Sequence, residues 1–301
     1  MIQLKSVSKT YQTGRRALKS VSFEIDGPKI VGVIGRNDAG KSTVFKILSG
    51  VIQDYEGSCT VDGKAVSVID SERISYLPEV RGLDGRAQVL EHLTDLVRYK
   101  SLRKKDAEQR VLEWLKQFEL ADAKYKRIDT LSKGNQQKLQ FIAAVASKPG
   151  LLILDEPFSG LDPITSDLFW DHILAMKEAG STVIFSTHDL SDKMNHCDYF
   201  LFVRDGEIAE QGTLPDIQNK YHAVLELKND AFKPELVADL IAPEAISRVQ
   251  DVYTLRLSSP ETAKQIHARL GAGFSEFFSV RRLTLNEIFR EIHTGTQHVS
   301  G

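Results

Sequence analysis

The chain has 301 residues, 42% hydrophobic and 27% charged, the composition of an ordinary globular protein with room for one large domain or two smaller ones. A formal net charge of −2 gives no electrostatic reason to bind nucleic acid, and two cysteines without metal-like spacing suit a reducing cytosol rather than a disulfide framework. No apolar run approaches the ~20 residues of a spanning helix and the N-terminus opens as a strand rather than a secretory signal, so any membrane role is expected to come through a partner.

Residues 1–33 alternate as half-buried strands do, with Ile2, Leu4 and Val7, then Val21, Phe23 and Ile25. Tyr11 lies between these strands. An aromatic ahead of a phosphate loop can stack on a nucleobase, but position alone favours a partly buried strand tyrosine. Ile30-Val31-Gly32-Val33-Ile34 reads as a buried strand. Gly35-Arg36-Asn37-Asp38-Ala39-Gly40-Lys41-Ser42-Thr43 then fits G-x-x-x-x-G-K-[ST], and residues 43–48 have the spacing of an amphipathic helix capped near Gly50. Gly35 and Gly40 let several N–H groups converge on one point, and the helix dipole adds positive potential there. Lys41 can reach the β- and γ-phosphates of a nucleotide, and the Ser42 hydroxyl can bind Mg²⁺. Asp38 places a carboxylate where phosphate would sit.

Residues 58–61 read as a short strand between turns at Glu56-Gly57 and Asp62-Gly63, and Ile74–Leu77 as a strand ending at Pro78-Glu79. From about 86 to 147 the period is helical. Val89, Leu90, Leu93, Leu96 and Val97 share one face, and Val111, Leu112, Leu115 and Phe118 share the next, as in an α-helical insertion into an α/β core. Leu131-Ser132-Lys133-Gly134-Asn135-Gln136-Gln137 precedes an apolar helix over 139–146. Ser132 suits its entry and Gly134 allows close backbone approach, which makes a second anion site that need not face the first.

Leu151–Leu154 runs into Asp155-Glu156, which puts two carboxylates at the C-terminal end of a strand expected beside the phosphate-loop strand. There Asp155 would meet Mg²⁺ held by Ser42, and Glu156 would polarise the attacking water. Helices are expected over 164–178 and 190–196. The strand over 182–186 brings His188 to the same crevice, within reach of a γ-phosphate, and Asp205-Gly206 joins a hairpin. From about 221 the pattern resets to a strand (223–228), a helix (234–241), a strand or strand pair (246–257), helix, strand, a last helix (285–293) and a frayed tail. No catalytic constellation appears in this small α+β domain.

Over residues 1 to about 217 these motifs, in this order, resemble the nucleotide-binding subunit of an ABC transporter. Gly35 to Ser42 matches Walker A. The run ending in Asp155 matches Walker B, with Glu156 at the catalytic-glutamate position. Residues 131–136 resemble the LSGGQ signature, Ser159-Gly160-Leu161-Asp162 the D-loop, and His188 the switch histidine. Tyr11 falls at the adenine-stacking A-loop position. Glu79 replaces the Q-loop glutamine, and Lys133 and Asn135 depart from the signature. These features, with the run 155–162 and the helix beginning Leu285-Asn286-Glu287-Ile288-Phe289, resemble ABC-2-type exporter ATPases of bacteria. Asp38 stands where the family usually has glycine. It should cost roughly 1 kcal/mol of ATP binding unless Mg²⁺, Arg36 or a partner group offsets it.

The resemblance implies an α/β P-loop NTPase core of ABC type over 1–217, a helical insertion at about 80–147 and an accessory α+β domain over 218–301. Tyr11, Gly35, Arg36, Asn37, Asp38, Ala39, Gly40, Lys41, Ser42 and Thr43 would hold ATP. Ser132, Gly134, Asn135 and Gln136 of a second ABC ATPase subunit, identical or different, would close over it. Ser42, Glu79 and Asp155 would hold Mg²⁺, with Lys41, Glu156 and His188 in catalytic roles. A transmembrane subunit would dock on about residues 80–100 and keep the chain peripheral on the cytoplasmic face of the membrane. The C-terminal domain would serve dimer contact or regulation. Two other readings stand. A nucleotide-gated regulatory subunit with little hydrolysis is kept open by Asp38, Glu79 and Lys133. A soluble non-transport ABC ATPase is opposed by the single cassette and near-neutral charge.

Overall fold

The computed structural model describes residues 1–68, 73–80, 82–98, 103–188, 190, 192–228, 232–271 and 277–294. The chain divides into two compact units, Met1–Gln211 and Gly212–Gly301. The first contains, in chain order, β1 (Ile2–Thr10), β2 (Arg16–Ile25), β3 (Ile30–Ile34), α1 (Lys41–Leu48), β4 (Glu56–Val61), β5 (Lys64–Ala65), β6 (Ile74–Leu77), α2 (Val89–Arg98), α3 (Lys104–Gln117), α4 (Lys133–Val145), β7 (Leu151–Leu154), α5 (Pro163–Glu178), β8 (Thr182–Thr187), β9 (Tyr199–Arg204) and β10 (Glu207–Gly212).

A four-stranded sheet has the order β2-β1-β4-β5. Alternation places Ile2 and Leu4 opposite Ile25 and Phe23, and a register shift after Leu4 brings Val7 opposite Val21, all buried. The expected turn at Glu56-Gly57 lies inside β4. A Cβ on Gly57 would stand 2.5 Å from the carbonyl oxygens of Lys5 and Ser6, so this glycine serves a close crossing of β1 rather than a chain reversal.

The second sheet has six strands in the order β10-β9-β3-β8-β7-β6. β7 and β8 are buried throughout, as continuous apolar runs in a parallel sheet should be. β7 does not neighbour β3 as expected, because β8 pairs in parallel with both and separates them. Both runs are continuously apolar, so periodicity carries no information about which lies next to β3.

In the helical segment, α2 buries Val89, Leu93 and Val97, and α3 buries Ala107, Val111 and Leu115. Each stripe follows i, i+4, i+8, which leaves Leu96 and Leu112 on exposed flanks instead of the inward face expected for them. The expected helix over 190–196 is a 3₁₀ turn, Asp192–His196, with residue 191 outside the described residues. Phe118, just past α3, meets Phe141 of α4 and Phe169 of α5 at 5.8 Å each and stacks on His172 of α5 at 5.0 Å. These rings tie three helices together.

The second unit adds α6 (Leu214–Gln218), β11 (Val224–Lys228), β12 (Ile246–Val249), β13 (Val252–Arg256), α7 (Pro260–Leu270), β14 (Phe277–Arg281) and α8 (Leu285–Thr294). Its four-stranded sheet, β12-β13-β11-β14, is antiparallel. The region expected as a helix over 234–241 holds only a 3₁₀ turn, Pro234–Val237, which begins without a side-chain cap. Arg281 pairs with Glu226 at 2.8 Å and with Glu287 at 2.7 Å, fastening α8 to the sheet. The expected tail beyond 294 lies outside the described residues.

His172 yields a pH prediction. Its Nε2 is buried with no hydrogen-bond partner among the described residues. Burial lowers its pKa below the ordinary 6.5, with Asp171 opposing. The unfolded chain then binds this proton more readily than the folded one. The stability carried by the neutral ring is full above 6.5 and is lost as pH falls below it. Urea unfolding across that range should show a shallower acid loss in His172→Phe than in the wild type; equal slopes would exclude the ring as the source.

Candidate functional site

β3, β6, β7 and β8 run parallel, and Gly35, Glu79, the pair Asp155 and Glu156, and His188 follow their C-terminal ends. That is the end at which open α/β sheets take ligands. Glu79, Asp155, Glu156 and His188 line one cleft of about 590 Å³ with Tyr11, Arg36, Asn37, Asp38, Gly40, Lys41, Ser42 and Thr43. Gly35 and Ala39 belong to the loop and support it from behind, where the Ala39 carbonyl accepts the Gly206 N–H at 2.9 Å.

The loop leaves its glycines no space. A Cβ on Gly35 would stand 2.5 Å from the Val203 carbonyl oxygen. Gly40 has φ of 112°, and its Cβ would meet the Ala17 carbonyl oxygen at 2.8 Å. α1 begins without a side-chain cap, and its first residues, Lys41, Ser42 and Thr43, line the cleft. An open helix N-terminus of this kind favours an anion.

The Lys41 ammonium donates to the Gly35 carbonyl at 2.7 Å and to the Arg36 carbonyl at 3.1 Å, and lies 3.9 Å from Glu156 Oε1. Burial lowers its pKa, opposed first by Glu156 and then by Asp155, Glu79 and Asp38. Glu156, at φ 49°, turns out of line with β7, which β8 separates from β3. The second Glu156 oxygen lies 2.9 Å from His188 Nδ1. A proton on Nδ1 would let the ring donate to that carboxylate oxygen. Tyr11, half-buried just beyond β1, places its hydroxyl 3.2 Å from Thr43 Oγ1.

Asp38 adopts φ of 66°, a conformation aspartate tolerates better than most residues. Its charge is met within the chain by Arg15. Arg15 donates to the Asp38 carboxylate at 3.0 Å and to its carbonyl at 3.1 Å. Arg15 and Ala17 also line the cleft and are absent from the sequence-based set. The signal for Arg15 is the reversal after β1, which returns its carbonyl to the Tyr11 N–H at 2.9 Å.

Ser132, Gly134, Asn135 and Gln136 do not line this cleft. Ser132 caps α4 by accepting the Asn135 N–H at 3.2 Å, and Gln136 donates to the Leu131 carbonyl at 2.9 Å. Beyond its chain neighbours and its own helix backbone, no described atom lies within 4 Å of a Cβ built on Gly134. In the cleft itself, the Ser42 hydroxyl, Glu79 and Asp155 form a hard-oxygen donor set that suits Mg²⁺. Among the described residues no group of three or more His, Cys, Asp or Glu side chains forms a metal cage.

A family model described as ABC transporter matches residues 18–159. The chain is 33% identical over 298 residues to an uncharacterized ABC transporter ATP-binding protein, YhaQ, of Bacillus subtilis (strain 168), covering 97% of this chain and 98% of that protein. It is similar to a solved ATP-binding subunit of an ABC transporter, with TM-score 0.68 and 29% identity over 73% of this chain and 92% of the other. It is also similar to the ATP-binding cassette MJ0796, solved as a dimer in a post-hydrolysis state bound to ADP and Pi, with TM-score 0.65 and 26% identity over 71% of this chain and 99% of that one.

The Arg15–Asp38 pair is exposed, at 54% and 81% of the two side chains, so its contribution is modest. Arg15→Ala should weaken ATP binding about twofold to fivefold when Asp38 is present, and less in an Asp38→Gly background. Nucleotide titration of the four proteins checks this; equal losses in both backgrounds would show that Arg15 does not act by neutralising Asp38.

Proposed function

Because the chain belongs to the ABC transporter family and is an ATP hydrolase of that family, we propose that it powers a membrane exporter whose spanning subunit is a separate chain. No described helix is long and apolar enough to cross a membrane. The observation that carries hydrolysis, against a purely regulatory role, is Glu156 held 2.9 Å from His188 and 3.9 Å from Lys41 in the cleft that contains Asp155.

In this reading Lys41 and the loop amides bind the β- and γ-phosphates, and Tyr11 packs on adenine. Ser42, Asp155 and Glu79 hold Mg²⁺, which when bound neutralises charge on the phosphate oxygens. Glu156 accepts a proton from the attacking water, and His188 steadies that carboxylate and reaches the γ-phosphate. Two copies pair so that Ser132 and Gly134 of each close over the cleft of the other. Two observations support the pairing: the signature residues do not line their own chain's cleft, and the similar cassette MJ0796 is dimeric. Closure surrounds the γ-phosphate with donors and excludes water, and hydrolysis releases it.

Export is supported by the ABC-2-like departures at Glu79, Lys133 and Asn135. The stretch from 80 to 100 is the proposed dock for the spanning subunit, supported by Val80 and Leu96, which are 79% and 39% exposed. Residues 81, 99 and 100 of that stretch lie outside the described residues. Docking there would hold the chain on the cytoplasmic face of the membrane.

Glu156→Gln should lower phosphate release by about 10²- to 10⁴-fold, the usual worth of a positioned base, while ATP still binds and the dimer persists in ATP. Phosphate release and sedimentation in ATP measure the two effects. Wild-type turnover by this variant would remove Glu156 from the mechanism. Negligible turnover by both proteins would favour the regulatory reading.

A further inference from the structure

Ser186 is wholly buried at the end of β8, and its hydroxyl bonds to both residues of the acidic pair. Parallel pairing of Leu154 with Phe185 brings Asp155 level with Ser186 one step later. The hydroxyl donates to Asp155 Oδ1 at 2.6 Å, in the range of a charge-assisted bond. The same oxygen accepts the Glu156 N–H at 2.8 Å. Glu156 has turned out of line with the strand at φ 49°, so its amide leaves the regular ladder and needs another acceptor.

A serine hydroxyl has one proton and two lone pairs. With the proton committed to Asp155, a lone pair faces Glu156, and each bond polarises the next in a chain from amide to hydroxyl to carboxylate. Across the strand, the Tyr76 hydroxyl of β6 lies 3.5 Å from Asp155 Oδ2. Burial, then the Asp155 charge, raises the Tyr76 pKa well above the ordinary phenol value, so it remains a donor. Val183, Ile184 and Phe185, the preceding residues of β8, are apolar; the hydroxyl enters where the two carboxylate residues need it.

We propose that Ser186 is a positioning residue for hydrolysis: its hydroxyl sets the Asp155 oxygens toward the metal and fixes the backbone from which the Glu156 side chain projects. The proposal rests on the roles given above to Asp155 and Glu156. Residues one shell away from a metal site commonly govern metal affinity or activity by about 10- to 100-fold.

Ser186→Ala should therefore lower kcat for ATP by about 10- to 100-fold with little change in KM. In a Glu156→Gln background with ATP bound, where turnover is removed, it should weaken Mn²⁺ binding, read by electron paramagnetic resonance, by about tenfold. A folded Ser186→Ala protein with wild-type kcat and unchanged Mn²⁺ affinity overturns the proposal. If the alanine variant does not fold, Ser186→Cys takes its place, having the same shape and a weaker donor. The same losses then support the proposal and wild-type values overturn it. Glu156→Gln alone separates the two levels. Wild-type turnover in that variant refutes the reading of Glu156 itself, whereas an inactive Glu156→Gln beside a wild-type Ser186→Ala refutes only the role of Ser186.

Discussion

Neither glycine of the phosphate loop has room for a side chain, and the rest of the cleft is built on that constraint. Gly35 lies against the Val203 carbonyl of β9 and Gly40 against the Ala17 carbonyl of β2, so the loop is wedged between strands of two different sheets. A Cβ at either position would meet backbone, which cannot step aside as a flexible side chain can. The wedge sets where α1 starts and aims Lys41 back over its own loop, where the Gly35 and Arg36 carbonyls hold it. The precision of the phosphate site is therefore inherited from the packing of both sheets.

Charge is the second organising term. Asp38, Glu79, Asp155 and Glu156 share a cleft with Lys41, Arg15 and Arg36. Asp38 is paired with Arg15, Asp155 is bonded by Ser186 and approached by Tyr76, and Glu156 lies between His188 and Lys41. Burial alone disfavours the Lys41 ammonium, and the surrounding carboxylates offset part of that cost. On the proposed mechanism, Lys41 would turn from Glu156 to the phosphates while Ser186 keeps its bond to Asp155, which would leave Glu156 free to meet water.

The α/β cassette fold and the segments that carry the cleft are legible in the sequence because their signals are local. A glycine-rich run between a strand and a helix, an acidic pair after four apolar residues, and a histidine just past a strand can each be read without knowing the topology. What escapes is whatever depends on which strands become neighbours. β8 lies between β3 and β7, and two equally apolar strands give no clue to that order. Ser186 looks like an ordinary strand residue until β7 is placed beside it. Arg15 matters only because the reversal after β1 carries it back to Asp38. Leu96 and Leu112 fit a broad helical stripe on paper, whereas packing uses a narrower one. In the second unit, the expected helix after Pro234 is only a single 3₁₀ turn.

On the proposed function this cleft is half of a site, completed by the signature residues of a second copy. Mixing two inactive variants tests it most directly. Lys41→Ala disables the phosphate loop, and Gly134→Asp places a charge in the signature at a position where a Cβ meets no described atom beyond its chain neighbours and own helix backbone. In a two-fold dimer each protomer lends its signature to the other, so a mixed pair contains one site with both defects and one with neither. Each variant alone should be inactive, and ATP hydrolysis should return when the two are combined. A mixture as inactive as its components would contradict the shared-site account.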